Sequence, residues 1–175
     1  MESHGNGKLN ERGFFNTELL KKLGSNTVLE DGVLLFHPEN ISIHQNVYIG
    51  HNTILKGYHR NEMIIEEGTW IGQQCFFHSA GGIKIGKNIG IGPGVKILTS
   101  YHKDTDINLP ILHEELKFKP VIIEDDADLG VNSVIMPGVT IKKGTQVGAG
   151  AVVTKDFPEY SIIAGVPAKL IRMRK

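Results

Sequence analysis

Residues 85–97, with the sequence IGKNIGIGPGVKI, decide the fold because isoleucine returns there at every sixth position. Apolar residues recur about every 3.6 positions in a helix and every two in a strand, so a period of six indicates short straight segments joined by corners. Fifteen aliphatic or Phe stations share this period: Ile43, Ile49, Leu55, Ile65, Ile71, Phe77, Ile85, Ile91, Ile97, Ile123, Leu129, Ile135, Ile141, Val147 and Val153. Small or apolar residues mostly follow four positions later, as in Val47, Cys75, Ile89, Val95 and Tyr101. The period indicates a hexapeptide-repeat solenoid.

The interruptions of the period predict a triangular cross-section. The steps from Leu55 to Ile65, from Phe77 to Ile85 and from Ile97 to Ile123 exceed six residues, and each follows a third station. Three stations per coil would send all three insertions out at one corner. We therefore predict an all-β fold, a parallel β-helix of about five triangular coils over 43–157, with a protruding loop at 103–122.

The two ends of the chain are predicted to differ from the repeat, within a single domain. Residues 1–42 form an N-terminal segment and cap, in which Asn16 caps a short helix over 17–23 that covers the open end of the solenoid. Residues 26–42 are expected to form an irregular first turn. The repeat stops before Pro158, and 158–175 are predicted as a short basic C-terminal tail.

Composition argues against several classes of partner. Lysine plus arginine and aspartate plus glutamate both number 19, so no net field attracts nucleic acid or an anionic membrane. The one cysteine, Cys75, falls at an inward position and excludes an intrachain disulfide. The chain begins without a basic and then apolar run and contains no stretch of eighteen apolar residues. We expect a cytoplasmic protein that does not insert into membranes.

Two of the eight histidines stand out by position. His102 lies at the start of the longest insertion, and His78 lies one coil earlier at the same edge. A neutral imidazole can take the proton of a hydroxyl that attacks a carbonyl. Both residues are therefore candidates for the functional site.

The repeat, the tract 89–102 and the ending 148–156 followed by 164–169 resemble the hexapeptide-repeat acyltransferases. They are most similar to the branch of galactoside, maltose, xenobiotic and surface-polysaccharide O-acetyltransferases. The resemblance covers residues 43–172 and implies a left-handed coil and a homotrimer with each site between subunits. It also implies acetyl-CoA as co-substrate, no metal, and a sugar or polysaccharide-precursor acceptor.

The resemblance also assigns roles to residues of this chain. His102 matches the general base that deprotonates the acceptor hydroxyl, and Asp104, Asp106 or Glu114 could orient its imidazole. His78, Tyr101 and Asp104 are the candidate acceptor contacts. The candidate cofactor-binding residues are Val131 and Ala149 along the pantetheine arm, and Thr154, Lys155, Lys169 and Arg172 at the phosphates and adenine.

Other functions stay open at this stage. The nearest alternative is an N-acetyltransferase of a nucleotide-linked amino sugar, which depends less on His102 because an amine is already nucleophilic. Hexapeptide-repeat carbonic anhydrases bind Zn²⁺ through histidines, including a pair five positions apart, but position 107 is Ile. A non-catalytic binding solenoid is a further alternative. Serine acetyltransferases require a large helical N-terminal domain, and about forty residues cannot supply one.

Overall fold

A computed structural model describes residues 17–175 of the chain. In it the hexapeptide repeats form six coils, and each coil contributes one strand to each of three sheets. Coils 1–4 comprise β1 (Lys22–Leu23), β2 (Val28–Leu29), β3 (Leu34–Phe36), β4 (Ile41–Ile43), β5 (Tyr48–Ile49), β6 (Ile54–Lys56), β7 (Met63–Ile65), β8 (Trp70–Ile71), β9 (Phe76–His78), β10 (Ile83–Ile85), β11 (Gly90–Ile91) and β12 (Lys96–Leu98). A hairpin of β13 (Ser100–His102) and β14 (Leu116–Phe118) follows. Coils 5 and 6 and the end of the chain comprise β15 (Val121–Ile123), β16 (Asp128–Leu129), β17 (Val134–Ile135), β18 (Thr140–Ile141), β19 (Gln146–Val147), β20 (Val152–Val153), β21 (Ser161–Ala164) and β22 (Lys169–Met173).

The first, second and third strands of successive coils stack as sheets A, B and C, in parallel and in register. In sheet B, for example, Ile71 pairs with Ile91 and Ile91 with Leu129. Backbone hydrogen bonds join each coil to the next, as from the Gly92 N–H to the Leu129 carbonyl at 2.7 Å. Within residues 17–175, three short 3-10 helices lie outside the sheets, at Thr17–Leu19, Pro38–Asn40 and Ile111–His113.

The predicted stations form the core. All fifteen are at most 2% exposed, and they belong to one hydrophobic cluster. Phe77 is the largest fully buried side chain among them. The period-six interpretation is confirmed, because each station is the residue that its segment turns inward. The left-handed winding stays a prediction.

A column of glycines lets the backbone of one coil lie against the next at the corner between sheets B and C. A Cβ atom added to Gly130 would lie 2.5 Å from the Ala149 nitrogen, and one added to Gly92 would lie 2.7 Å from the Val131 nitrogen. Real Cβ atoms do not approach backbone so closely, so the Gly in the recurring Ile-Gly pair is a packing requirement.

The N-terminal prediction is wrong in two respects. Residues 22–36 form a complete additional coil, so there are six full coils and a seventh strand in sheet B, β21, instead of five coils. The predicted helix over 17–23 is a single 3-10 turn, because Lys22 and Leu23 pair with Ser42 and Ile43 in sheet A. An isolated helix of two turns is marginal in water, whereas this strand gains a partner. Asn16 lies outside the described residues.

The C-terminal segment is also more ordered than a tail. Strand β21 continues sheet B beside β19, and β22 folds back antiparallel to it, with Ala164 opposite Lys169. Because β22 pairs with β21 in the antiparallel direction, it covers the edge of sheet B at which a further parallel coil could have been added.

All three insertions leave the solenoid at the corner between sheets C and A, as predicted. The longest, predicted as a protruding loop over 103–122, forms a hairpin, and Val121 and Ile122 of that range already belong to β15 of coil 5. Tyr101 follows Ile97 at the inward spacing but lies in β13 and is 41% exposed, because the chain has left the coil there. Among the helices within residues 17–175, none has the length and apolarity needed to cross a bilayer.

Candidate functional site

His102 ends the first strand of the hairpin, opposite Leu116. It is half-buried, and its Nδ1 lies 3.1 Å from the carbonyl oxygen of Glu114. A carbonyl can only accept a hydrogen bond, so this contact places the imidazole proton on Nδ1 and leaves the lone pair on Nε2. Of the three groups that could orient His102, the structure selects Glu114, through its backbone and not its carboxylate.

Glu114 also organises the tip of the hairpin. Its carboxylate accepts a hydrogen bond from the Asp106 N–H at 2.7 Å, which fixes the residues between the two strands. The neighbouring Glu115 carboxylate lies between Lys103 and Lys117, whose hydrogen bonds lower its pKa to about 2. The segment that carries His102 is therefore tied across both strands by side-chain contacts.

His78 occupies the same corner one coil before the hairpin. Its Nδ1 lies 3.5 Å from the Ser100 hydroxyl, and its ring stacks 6.3 Å from the ring of Phe76. Burial, and then the nearby Lys56 ammonium, lower the pKa of His78. His78 therefore favours its neutral form, which suits a polar contact better than a charged one.

The other two predicted acceptor contacts lie on the hairpin itself. Tyr101 is exposed, with the Lys119 ammonium 5.3 Å from its ring centre. Asp104 is exposed at the tip. The structure thus brings His102, Tyr101 and Asp104 onto one hairpin and places His78 at its base.

An aromatic cluster beside His78 was not predicted from the sequence. Tyr58 lies in the first insertion, 6.1 Å from the rings of both His78 and Phe118. The Arg60 guanidinium lies 5.7 Å from the Phe118 ring centre. The sequence contained one indication of this cluster, which was the position of the insertion after Leu55. That insertion leaves the solenoid at the corner that also carries the hairpin.

The predicted cofactor-binding residues fall into three places. Val131 and Ala149 occupy the same corner in successive coils, both exposed, between sheets B and C. Thr154 and Lys155 follow β20 at the other end of sheet C, with the Lys155 ammonium 5.7 Å from the Phe157 ring centre.

Lys169 and Arg172 lie on β22, at the outer edge of sheet B, and both are exposed. Arg172 lines an open depression of about 470 Å³ with Gln146, Ile162, Arg174 and Lys175. Lys169 lies near the corner of Ala149, because it pairs with Ala164, which lies against Gly148. The neighbouring Ala168 N–H donates to the Val152 carbonyl at 2.8 Å, so the start of β22 also lies beside β20.

The outer surface of sheet C connects the two corners that carry the predicted site. Its central column is apolar at five of six positions: Leu34, Ile54, Phe76, Val134 and Val152. The exception, Lys96, bends away and donates to the Gly94 carbonyl at 2.9 Å. A half-exposed apolar column on an outer sheet face is typical of a surface that another chain covers.

Within residues 17–175 no three His, Cys, Asp or Glu side chains lie close enough to hold a metal ion.

A comparison with known protein families agrees with the period and the coil. Residues 120–155 match the family model for the hexapeptide repeat of succinyl-transferase. This region covers coils 5 and 6, from β15 to the end of β20.

Curated relatives are similar over about half of this chain. A candidate acetyltransferase of Schizosaccharomyces pombe is 38% identical over 99 residues, which are 56% of this chain and 46% of that protein. The 2,3,4,5-tetrahydropyridine-2,6-dicarboxylate N-acetyltransferase of Staphylococcus aureus strain JH9 is 40% identical over 87 residues, 50% of this chain and 31% of that protein. The chain thus spans less than half the length of either relative.

Solved structures share the fold over nearly the whole chain. AntD, an N-acyltransferase from Bacillus cereus in complex with dTDP and 3-hydroxybutyryl-CoA, is similar with a TM-score of 0.81 at 23% identity, over 93% of this chain and 90% of that one. A hexapeptide-repeat-containing acetyltransferase from Vibrio cholerae O1 biovar eltor, complexed with acetyl coenzyme A, has a TM-score of 0.66 at 28% identity, over 90% and 73% of the two chains.

Proposed function

We propose that this protein is an acetyl-CoA-dependent acetyltransferase that acts on a sugar hydroxyl, with His102 as general base. The observation that carries the proposal is the contact between His102 Nδ1 and the Glu114 carbonyl. It leaves Nε2 free to accept a proton and holds the ring in one orientation, which are the two requirements of a positioned base.

The reaction needs one proton transfer and one bond exchange. As the acceptor oxygen attacks the thioester carbonyl carbon of acetyl-CoA, its proton moves to Nε2 of His102. The carbon–sulfur bond then breaks, the acetyl group stays on the acceptor oxygen, and the imidazolium can return its proton to the departing CoA thiolate. Since Nδ1 keeps its hydrogen bond to Glu114 throughout, the imidazolium that forms is stabilised by a carbonyl dipole.

The basic residues near the end of the solenoid suit the CoA moiety as substrate. Lys155, Lys169 and Arg172 are exposed cations, and ammonium and guanidinium groups compensate phosphate charge. The corner at Val131 and Ala149 is exposed along two coils, which suits an extended pantetheine arm. The similarity to the Vibrio cholerae acetyltransferase complexed with acetyl coenzyme A supports the same substrate here.

We also propose a homotrimer, with sheet C as the surface between copies. The apolar column from Leu34 to Val152 lies between the corner of Ala149 and the corner of His78. Packing another copy on that column would bring the two corners of different subunits together. This arrangement would complete a site that a single chain leaves in separate parts.

The acceptor is proposed to be a surface polysaccharide or its precursor. The alternative is transfer to the amine of a nucleotide-linked amino sugar. The Staphylococcus aureus relative is an N-acetyltransferase of a tetrahydropyridine dicarboxylate, which supports transfer to nitrogen but not this class of acceptor. The two proposals differ in their dependence on His102, because a hydroxyl needs a base to become nucleophilic and a neutral amine does not.

Thiol release from acetyl-CoA tests both, with a panel of sugar hydroxyls and nucleotide-linked amino sugars as acceptors. For a hydroxyl acceptor we expect His102→Ala to lower turnover about 10²- to 10⁴-fold with unchanged assembly mass. His113→Ala is the matched control, because His113 is an exposed histidine of the same hairpin. Turnover of amines alone, unaffected in His102→Ala, would replace the proposal with its alternative.

A further inference from the structure

The outer face of sheet B carries an aromatic pair that the proposed reaction does not use. Tyr48 pairs with Trp70, Trp70 with Gly90, and Gly90 with Asp128, so these four residues form one outward column on successive coils. Trp70 is 44% exposed. The column lies on a different face of the solenoid from sheet C and from the corner of His102.

Trp70 is held on one side only. Its ring stacks on Tyr48, with ring centres 5.5 Å apart and an angle of 2° between the planes. Hydrogen bonding to the nearby Glu30 carboxylate raises the pKa of the Tyr48 hydroxyl. Because Tyr48 lies one coil before Trp70 and Gly90 one coil after it, the face of the indole opposite Tyr48 is turned along the column toward coil 4.

The second face of Trp70 meets a gap, because the next position in the column is Gly90. A Cβ atom placed on Gly90 would have only the Asp128 carboxylate within 4 Å, with Oδ1 at 2.6 Å, and no atom of Trp70. The Asp128 carboxylate makes no hydrogen bond or ion pair with any residue in 17–175. The result is a slot with a glycine floor, an aromatic wall and a carboxylate wall.

From this geometry we infer that the slot formed by Trp70, Gly90 and Asp128 binds a pyranose ring. The strands that carry the two walls lie two strand spacings apart, or about 9–10 Å. The Asp128 carboxylate leans from its strand toward Gly90, which narrows the space to that of a single ring at van der Waals distance from the indole. The C–H face of a pyranose stacks on an aromatic ring, while its hydroxyls supply the donors that a carboxylate accepts. The negative wall disfavours phosphates and other anions.

The slot goes beyond the proposed acetyl transfer, because it contains neither His102 nor any predicted CoA contact. Lys169 and Arg172 lie further along the same sheet, on β22. Such a site would retain a sugar unit of a polymeric acceptor apart from the unit that reacts. Its test needs no turnover, so its failure and the failure of the proposed function are distinguishable.

Trp70 is the one tryptophan in the sequence, so intrinsic fluorescence reports on the slot directly. We would titrate the full-length protein with methyl β-glucopyranoside, methyl β-galactopyranoside and glucosamine, with choline chloride and inorganic phosphate as controls. We expect at least one of the three sugars to produce a saturable change in the millimolar range. Gly90→Val should abolish the response, and Asp128→Ala should weaken it at least tenfold.

The variants keep the fold intact by design. Gly90 does not adopt a left-handed φ, and a Cβ atom added to it meets only the end of a movable carboxylate. Val28→Ala, an exposed position two strands away in the same column, is the matched control and should respond like the wild type. The inference is overturned if no sugar gives a saturable response, if Gly90→Val responds like the wild type, or if choline gives the same response. It is equally overturned if Gly90→Val changes the assembly mass, since the slot would then be a contact between copies.

Discussion

Replacing Gly130 with alanine should destabilise the solenoid and disturb the corner that carries Ala149. The new Cβ would lie 2.5 Å from the Ala149 nitrogen and 2.7 Å from the Val147 carbonyl oxygen, both backbone atoms of the next coil. Relief requires the coils to separate, which strains the hydrogen bond from the Gly130 N–H to Val147, now 2.8 Å long.

The magnitude follows from these two contributions. Overpacking of a close-packed interior costs about 1–3 kcal/mol, and a weakened backbone hydrogen bond costs about 1 kcal/mol more. We therefore expect Gly130→Ala to lose about 2–4 kcal/mol, a fall in Tm of roughly 4–16 °C for a chain of this length.

The matched control is Gly90→Ala, whose Cβ meets only a side-chain carboxylate that can move. Its stability should change by no more than about 0.5–1 kcal/mol in either direction. Both variants would be compared by urea and thermal denaturation at one protein concentration, because association shifts Tm. Equal stability of the two variants would refute the argument that coil-to-coil backbone contact requires glycine at this corner.

Two further predictions follow from buried titratable groups. The Cys75 thiol is buried, and its pKa is raised chiefly by that burial. A thiol reagent should therefore label the native protein only at the rate of unfolding. Guanidinium-unfolded protein is the positive control, and immediate full labelling of the native protein would contradict the prediction. Burial lowers the pKa of His78 in the folded protein. As the pH falls, His78 of the unfolded chain is therefore protonated at a higher pH than His78 of the folded protein. Stability should fall as the pH drops from about 6.5 to the folded-state pKa. Denaturation of wild type and His78→Gln across pH 5–7.5 checks this, with His113→Gln as control; equal slopes for all three proteins would count against it.

The sequence predicted the repeat well because every coil obeys the same local rule. A side chain such as Ile91 or Leu129 faces inward for reasons that its own hexapeptide contains, so periodicity is sufficient evidence. The missed first coil carries the same signal, since Leu23, Leu29 and Leu35 are spaced by six and a longer step to Ile43 follows. The helical pattern assigned to 17–23 competed with that spacing, and strand pairing with coil 2 prevailed.

The site was less predictable because it depends on contacts between distant segments. Spacing identified His102, but its alignment with the Glu114 carbonyl arises from the antiparallel pairing of the hairpin, which no local pattern specifies. The neighbourhood of Tyr58 and Phe118 likewise joins two separate insertions. The relation between Trp70 and Asp128 required the register of three strands, with two insertions between them along the chain.

The confinement of all three insertions to one corner separates what can vary in this protein from what cannot. Coil stacking leaves little freedom in the length of a hexapeptide, whereas a segment that starts and ends at the same corner can be lengthened at a cost that grows only with the logarithm of its size. If the proposed acetyl transfer holds, exchange of the segment between Leu98 and Val121 should change the acceptor without a change in the coils. The coils of the solenoid would stay unchanged, and hairpins grafted from other proteins with this fold should be tolerated at the corner between sheets C and A.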